Sequence, residues 1–234
     1  MADDAELRRQ ALRRGDRRSS LVFYRFVRAS IALILNPWLR LSSQNAEILD
    51  RPGAVILAPV HRSHLDSALI ATQTQRRIRA LGKQSLFTTP GVSWVCAALG
   101  AIPVKRGKAD RDALAAARSL LDRGETMVVF PEGGRKYGNE VCDLFDGAAW
   151  LSARTGAPVV PIGVAGTEQA LPQGAKFVYR SRVEIVVGEP LPAPQGADGK
   201  RVGREQLRAF TAELTTRLQN AQNAAVEQAS KTSG

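Results

Sequence analysis

The chain has 234 residues, of which 44 % are hydrophobic and 24 % are charged, and this ordinary globular composition excludes a wholly disordered protein. Its 33 lysines and arginines exceed its 22 acidic residues by 11, which favours anionic partners: nucleic acid, an anionic membrane surface or phosphorylated small molecules. Two cysteines cannot form a disulfide scaffold, and no secretory signal is evident, so we expect a reducing cytosolic compartment.

Residues 1–45 form a basic N-terminal arm. Its segment 21–41 is apolar, is interrupted by Arg25 and Arg28, and is stopped by Pro37. The uncharged part of this segment is shorter than the roughly 20 residues that a membrane-spanning helix needs. Arginines interleaved with aromatic residues predict instead an amphipathic helix that lies in the membrane interface. The alternative is a helix that covers the protein's own core.

Short apolar strands alternate with helical patterns after the arm. Strands are predicted at residues 54–58, 78–81, 126–130, 158–164 and 183–187. Helices are predicted at residues 66–75, 92–99, 111–122, 148–155 and 205–221. This alternation predicts a single α/β domain over residues 46–222, with a largely parallel central sheet flanked by helices. The polar residues 223–234 are expected to form a disordered tail.

The first chemically informative segment is HRSHLD at residues 61–66. His61 and Asp66 meet only if His61 precedes a helix and Asp66 lies in its first turn, an arrangement that a Ser63 N-cap would favour. A carboxylate on one ring nitrogen fixes the tautomer and leaves the other nitrogen to accept a proton from an alcohol. The alternatives are that Asp66 only caps the helix, or that His61, His64 and Asp66 bind a metal.

Two further segments combine glycine with basic residues, GAIPVKRG at 100–107 and FPEGGRK at 130–136. Glycine permits a close approach of the backbone, and backbone N–H groups with guanidinium groups bind anions. Each segment alone is also typical of a basic surface turn. Both lie beside predicted strands, as does HRSHLD, and parallel sheets bind ligands at the carboxyl ends of their strands.

Together with VVPIGV at residues 159–164, these segments resemble, in this order, the blocks of the glycerolipid acyltransferase family. The family is typified by the 1-acylglycerol-3-phosphate acyltransferases, and the resemblance extends from about residue 52 to residue 190. It implies acyl transfer from acyl-CoA or acyl-carrier protein to a glycerophosphate hydroxyl, with neither a cofactor nor a metal. It also implies a peripheral or monotopic protein on the cytoplasmic face of the cell membrane.

The resemblance assigns roles to individual residues. His61 is implied as the general base and Asp66 as its partner. The residues implied around the phosphate of the acyl acceptor are Lys105, Arg106, Glu132, Gly133, Gly134 and Arg135. The supporting residues are Arg62, Ser63 and Pro161.

Several positions depart from the family pattern. Val60 precedes His61 where the lysophosphatidate enzymes usually carry asparagine, and PVHRS resembles the glycerol-3-phosphate acyltransferases. The implied acceptor is 1-acyl-sn-glycerol-3-phosphate, which would give phosphatidic acid in phospholipid biosynthesis. Glycerol-3-phosphate and another lysophospholipid are the alternatives. Gly134 and Lys136 replace the usual threonine and serine, and Asp146 stands where relatives often carry a basic residue.

Two other classes of function fit the composition less well. A basic nucleic-acid-binding protein would explain the positive charge, but the sequence has no recognition-helix or zinc-finger pattern and only 6 % aromatic residues. A non-catalytic lipid-binding relative would have no need for both His61 and Asp66. We therefore expect an O-acyltransferase that has no nucleic-acid partner.

Overall fold

The computed structural model describes residues 4–105, 110–196 and 202–231, and these residues form a seven-stranded sheet flanked by helices. In chain order the strands are β1 (Ser42–Gln44), β2 (Val55–Pro59), β3 (Ile78–Lys83), β4 (Ala101–Val104), β5 (Thr126–Val128), β6 (Val159–Ala165) and β7 (Glu184–Val187). Across this described sheet the order is β1-β7-β6-β2-β5-β3-β4, and only β6 and β7 pair antiparallel. The predicted single α/β domain with a largely parallel sheet is confirmed.

The described residues also form α1 (Asp4–Gly15), α2 (Arg18–Trp38), α3 (Asp66–Thr72), α4 (Pro90–Ala98), α5 (Arg111–Leu121), α6 (Gly147–Thr155), α7 (Thr167–Ala170) and α8 (Arg204–Lys231). Short 3-10 helices lie at Ala46–Asp50 and Gln84–Phe87. Local sequence explains several helix ends. The Asp110 carboxylate accepts the N–H of Ala113 at 3.0 Å and so caps the alanine-rich α5. Gly156, with a φ of 72°, ends α6.

The central strand β2 is buried on both faces. Val55 and Leu57 pack in a core with α2 and α3, whereas Ile56 and Ala58 pack in a second core with α5, α6 and α8. The sequence of a strand that is covered on both faces is a continuous apolar run, because none of its side chains faces solvent. This placement of helices on both faces leaves the strand ends as the open edges of the sheet.

Two strands and one boundary differ from the sequence expectation. β1 is short and polar, yet it pairs with β7, so the sheet begins at Ser42 and includes residues assigned to the 1–45 arm. β4 contains Pro103, which disfavours a strand in the sheet interior but is tolerated here because β4 is the edge strand. β1 lacks the apolar pattern on which sequence prediction depends, and the apolar run of β4 is short and contains a proline.

The last helix is longer than the sequence suggests. α8 continues through residues 223–231, where a disordered tail was expected. The reason is tertiary packing, since Ala225 is fully buried against Ala165 of the sheet. Residues 232–234 of the expected tail lie outside the described residues.

Helix α2 exposes much of an apolar surface. Its exposed large apolar residues are Val22, Phe26, Leu33, Ile34 and Trp38. By length and composition alone this 21-residue helix could cross a membrane. On the opposite side Tyr24 is buried, and its hydroxyl accepts the N–H of Ile78 at 3.1 Å. One side of α2 therefore packs on the domain while apolar side chains remain uncovered.

Candidate active site

The candidate residues converge at the carboxyl edge of the sheet. His61 follows β2, Lys105 follows β4, Phe130 and Glu132 follow β5, and Thr167 follows β6. These four strands run parallel to one another, so the chain leaves each of them at the same edge. This is the edge at which open α/β sheets bind ligands.

His61 and Asp66 form a direct, buried contact. The Nδ1 atom of His61 lies 2.9 Å from Oδ2 of Asp66, and the imidazole stacks on the ring of Phe130 with centroids 3.9 Å apart. His61 exposes 7 % of its surface and Asp66 none. A carboxylate only accepts hydrogen bonds, so Nδ1 carries the proton and Nε2 is the nitrogen with an acceptor lone pair.

Asp66 accepts hydrogen bonds on both carboxylate oxygens. The backbone N–H groups of Arg62 and Ser63 donate to Oδ2 at 2.7 and 2.8 Å, and the Thr167 hydroxyl donates to Oδ1 at 2.7 Å. The prediction of Ser63 as N-cap is wrong: α3 begins at Asp66, Leu65 occupies the N-cap position, and the Ser63 hydroxyl donates to the Leu171 carbonyl oxygen at 3.3 Å. The Asp66 carboxylate therefore both holds the backbone of the turn and orients the imidazole.

A buried ion pair joins this turn to the loop after β5. Nη1 of Arg62 donates to Oε2 of Glu132 at 2.8 Å, with both side chains at most 2 % exposed. The other guanidinium nitrogens donate to the carbonyl oxygens of Gly138 at 2.7 Å and Glu140 at 2.8 Å. Arg62 thus pairs its charge within the protein, which fits the expectation of a supporting residue.

Glu132 is not placed as the sequence suggests. Its Oε2 also accepts the backbone N–H of His61 at 3.0 Å, and its Oε1 accepts the N–H of Cys142 at 3.1 Å. Both carboxylate oxygens therefore bond to the protein, and a carboxylate beside a phosphate would repel it. This geometry does not support the expected contact of Glu132 with phosphate and favours a role in positioning His61.

The two glycines of the loop differ. Gly133 has a φ of 71°, and a Cβ atom there would lie 2.5 Å from the ring of Phe145, so this position requires glycine. A Cβ on Gly134 would meet no atom within 4 Å. Gly134 therefore leaves open space at the position where the family usually carries threonine.

The basic residues of the loop lie beside His61. The backbone N–H of Lys136 donates to the carbonyl oxygen of His61 at 2.8 Å, which fixes the loop against the turn. Arg135 is partly buried, and within the described part of the chain its side chain makes no hydrogen bond or ion pair. Its guanidinium group is therefore available to an anionic ligand.

A cavity of about 830 Å³ connects these groups. His61 lines it together with the cationic side chains of Lys105, Arg135 and Lys136. The apolar part of its wall is formed by Leu81, Val104, Leu114, Val128, Val129, Phe130, Pro131, Phe145, Ala148 and Trp150. A cavity of this size with apolar walls and a few polar groups suits a small amphiphilic ligand that carries an anionic group.

Helix α1 contacts the segment that follows β4 at the edge of the cavity. Lys105 forms an ion pair with Asp4, whereas Arg106 lies outside the described residues. The Asp110 carboxylate accepts the N–H of Lys105 at 2.9 Å and the guanidinium group of Arg8 at 2.6 Å. Burial opposes ionisation of Asp110, but the backbone hydrogen bonds and Arg8 outweigh it, so its pKa lies below the ordinary value.

Pro161 lies within β6 and is absent from the described lining of the cavity. It pairs in register with Ala58 of β2, and its carbonyl oxygen accepts the N–H of Gly188 at 2.9 Å. Because β7 ends at Val187, the missing proline N–H falls where the antiparallel ladder already stops. Its supporting role is therefore in the sheet and not in ligand contact.

The described residues contain no cluster of three or more histidine, cysteine, aspartate or glutamate side chains that could hold a metal. His64, which the metal alternative requires, is exposed at the surface while His61 is buried against Asp66. The described geometry therefore favours the His61–Asp66 pair as an acid–base unit.

Comparison with known proteins agrees with these features. The family model described as Acyltransferase matches residues 40–165, more than half of the chain, and this range contains all four motif segments. The chain belongs to the Acyltransferase family. This membership confirms the resemblance inferred from the order of the motifs.

Several relatives within the family are named 1-acyl-sn-glycerol-3-phosphate acyltransferase. The chloroplastic protein of Arabidopsis thaliana is 26 % identical over 72 % of this chain and 49 % of its own length. The protein of Chlamydomonas reinhardtii is 31 % identical over 64 % of this chain and 45 % of its own length. The chain thus spans about half the length of these curated relatives.

A solved structure shares the fold. The crystal structure of the 1-acyl-sn-glycerophosphate acyltransferase PlsC from Thermotoga maritima aligns with a TM-score of 0.69 over 91 % of this chain and 85 % of that chain. The two sequences are 23 % identical, so the likeness concerns the fold. The shared part includes most of both chains.

Sequence reasoning missed two contacts of the site. Thr167 donates to Asp66 although the two residues lie 101 positions apart, and the only local signal is its place directly after a predicted strand. Phe130 belongs to the FPEGGRK segment, but nothing in the sequence indicates that its ring stacks on His61. Both contacts depend on which strands are neighbours in the sheet.

Proposed function

We propose that the protein transfers a fatty acyl group from acyl-CoA or acyl-carrier protein to the hydroxyl of 1-acyl-sn-glycerol-3-phosphate, which forms phosphatidic acid. Membership of the Acyltransferase family and the names of its relatives support this acceptor. The observation that carries the proposal is the 2.9 Å contact between His61 and Asp66 on the wall of a cavity that also bears Arg135.

His61 acts as the general base. Its Nε2 atom accepts the proton of the acceptor hydroxyl while the hydroxyl oxygen attacks the carbonyl carbon of the thioester. Asp66 stabilises the imidazolium ion that forms. When the tetrahedral intermediate collapses, the carbon–sulfur bond breaks and the leaving thiolate takes the proton from His61. The products are an ester and a free thiol, and the histidine returns to its neutral state.

Cationic groups hold the phosphate of the acceptor. Arg135, Lys136 and Lys105 line the cavity beside His61, and the open space at Gly134 allows close approach. Arg106 joins this set from the sequence pattern. Hydrogen bonds between charged groups are about twice as strong as neutral ones, so they fix the position of the hydroxyl relative to the base.

Buried neighbours position the base. Glu132 accepts the backbone N–H of His61 and pairs with Arg62, while Thr167 donates to the far oxygen of Asp66. These contacts hold the imidazole in place. The apolar wall of the cavity then receives the acyl chain, and each buried methylene group contributes about 0.8 kcal/mol.

The N-terminal arm brings the site to its lipid substrates. Phe26, Leu33 and Trp38 of α2 are exposed, which suits insertion among acyl chains at the membrane interface. Arginines of the arm attract anionic headgroups, each contributing about 1 kcal/mol near the surface. We place the protein on the cytoplasmic face of the cell membrane as a peripheral or monotopic protein.

The test uses purified protein, one labelled acyl-CoA and one labelled acyl-carrier protein. The acceptors are 1-acyl-sn-glycerol-3-phosphate, glycerol-3-phosphate, other lysophospholipids and an unphosphorylated glycerolipid, with products separated by regiochemistry. We expect transfer to the lysophosphatidate, loss of transfer in His61→Ala and full activity in His64→Ala, the matched control on the exposed neighbouring histidine. Preference for glycerol-3-phosphate would change the acceptor, and full activity in His61→Ala would end the assignment of the base.

A further inference from the structure

A second, smaller depression adjoins the main cavity. It measures about 340 Å³ and is lined by Asp146, Trp150, Arg204, Leu207 and Arg208. Asp146 and Trp150, at the beginning of α6, also line the main cavity. The two spaces therefore share a wall, and the smaller one lies between α6 and the first turns of α8.

Unpaired arginines gather around this depression. Arg204 and Arg208 are exposed one helical turn apart on α8, and the Arg154 guanidinium lies 5.6 Å from the ring centroid of Trp150. None of the three forms an ion pair with a carboxylate among residues 4–105, 110–196 and 202–231. The single acidic residue of the described lining, Asp146, has an oxygen that accepts the Thr211 hydroxyl at 2.7 Å.

We propose that this depression binds the nucleotide headgroup of an acyl-CoA donor. Arg204 and Arg208 pair with its phosphates, and the adenine ring packs against Trp150. Planar guanidinium groups match phosphate geometry, and aromatic side chains stack on nucleobases. The inference rests on the acyl transfer proposed above and names the nucleotide thioester as its donor.

The position of the depression beside the main cavity suits such a donor. Its headgroup would lie on the α8 side of Trp150, and its pantetheine arm would pass along the shared wall toward His61 in the main cavity. The acceptor phosphate would lie at Arg135, on the other loop. The Asp146 carboxylate on the shared wall then separates two anionic groups that would otherwise compete for the same cations.

The shape favours a small molecule over a docked protein. A concave site near the lower end of the size range for small-molecule pockets, with an aromatic ring in its wall, suits a nucleotide. A carrier protein could pair with the exposed Arg204 and Arg208, but it would have no use for the ring of Trp150, on which a nucleobase would stack. The experiment below distinguishes acyl-CoA from acyl-carrier protein as the donor.

The experiment compares wild-type protein with the double variant Arg204→Ala/Arg208→Ala. Arg217→Ala is the matched control, because Arg217 lies on the same helix and is paired with Glu213. Adenosine 3′,5′-bisphosphate binding is measured by calorimetry, and KM is measured for palmitoyl-CoA and for palmitoyl-pantetheine, which lacks the nucleotide. We expect the double variant to raise the KM for palmitoyl-CoA and weaken bisphosphate binding by about tenfold or more, with pantetheine kinetics unchanged.

Each contrary outcome has a distinct meaning. An unchanged KM for palmitoyl-CoA, an equal rise for both thioesters, or no bisphosphate binding by the wild type overturns the headgroup site. Transfer from acyl-carrier protein alone also overturns it, while acyl transfer as the function stands. If no donor supports transfer, the proposed function fails, and bisphosphate binding that the double variant loses would still establish the nucleotide site. Unfolding temperatures check that both variants fold.

Discussion

Replacing Asp66 by asparagine removes one negative charge and preserves the shape of the side chain. The carboxylate accepts four hydrogen bonds, of which three, from His61 and the N–H groups of Arg62 and Ser63, reach Oδ2. An asparagine carbonyl oxygen keeps a hydrogen-bond acceptor at the position of Oδ2, and the Thr167 hydroxyl can turn to accept from the new amide. We therefore expect Asp66→Asn to fold and to retain the position of the imidazole.

The substitution removes the charge attraction that stabilises the imidazolium ion. Two unit charges about 4 Å apart attract each other by about 4 kcal/mol at an effective dielectric constant of about 20. Each 1.36 kcal/mol is roughly a factor of ten in rate, so losing this attraction lowers kcat by about 10³-fold. Asp66 has no exposed surface and touches no ligand, so both KM values should change by less than about threefold.

The assay measures initial rates of labelled acyl transfer to 1-acyl-sn-glycerol-3-phosphate at varied donor and acceptor, with unfolding temperature as the check on folding. Thr167→Val is the control, because it removes the donor to Oδ1 but leaves the charge and the His61 contact. Its kcat should fall by about tenfold at most. If folded Asp66→Asn keeps more than about a tenth of the wild-type kcat, the charge of Asp66 does not stabilise the transition state.

Three further changes test other parts of the site. Arg135→Ala should raise the KM for the phosphorylated acceptor by about ten- to a hundredfold with kcat nearly unchanged, and an unchanged KM would exclude a phosphate contact. Gly133→Ala should lower the free energy of unfolding by about 1–2 kcal/mol and displace Phe145, as denaturant titration and kcat/KM would reveal. The lowered pKa of Asp110 stabilises the fold above its unfolded pKa of about 3.9 and ceases to do so as pH falls through the folded value. Asp110→Asn should therefore destabilise the protein at about pH 7 and by less as the pH falls below about 3.9, and a loss that does not change with pH would contradict this assignment.

The contact between His61 and Asp66 was accessible to sequence reasoning because it is local. Five positions separate the two residues, so the end of a strand and the start of a helix constrain them strongly. The hydrogen-bonding detail was not accessible. Ser63 has the residue type of an N-cap, yet its hydroxyl bonds to Leu171, which lies 108 positions away in the chain.

Contacts between distant segments set the limit of prediction. The pairing of Arg62 with Glu132 spans 70 positions, and its partners follow from the adjacency of β2 and β5, which no local pattern encodes. The same reason explains the miss at residues 223–231, whose polar sequence is helical because it packs on the sheet. Both features depend on tertiary packing, which residue types alone do not reveal.

The network around His61 explains why the motifs form one unit. The N–H of His61 donates to Glu132, and its carbonyl oxygen accepts the N–H of Lys136, so the loop after β5 holds the base on both sides of its peptide unit. The same loop carries Arg135. The distance between the proposed general base and the proposed phosphate ligand is therefore set by contacts of the His61 backbone with this loop. Misplacement by about 1 Å can cost about a hundredfold in rate, so exchanging Glu132, whose two carboxylate oxygens both bond to the protein, should impair catalysis through the position of His61.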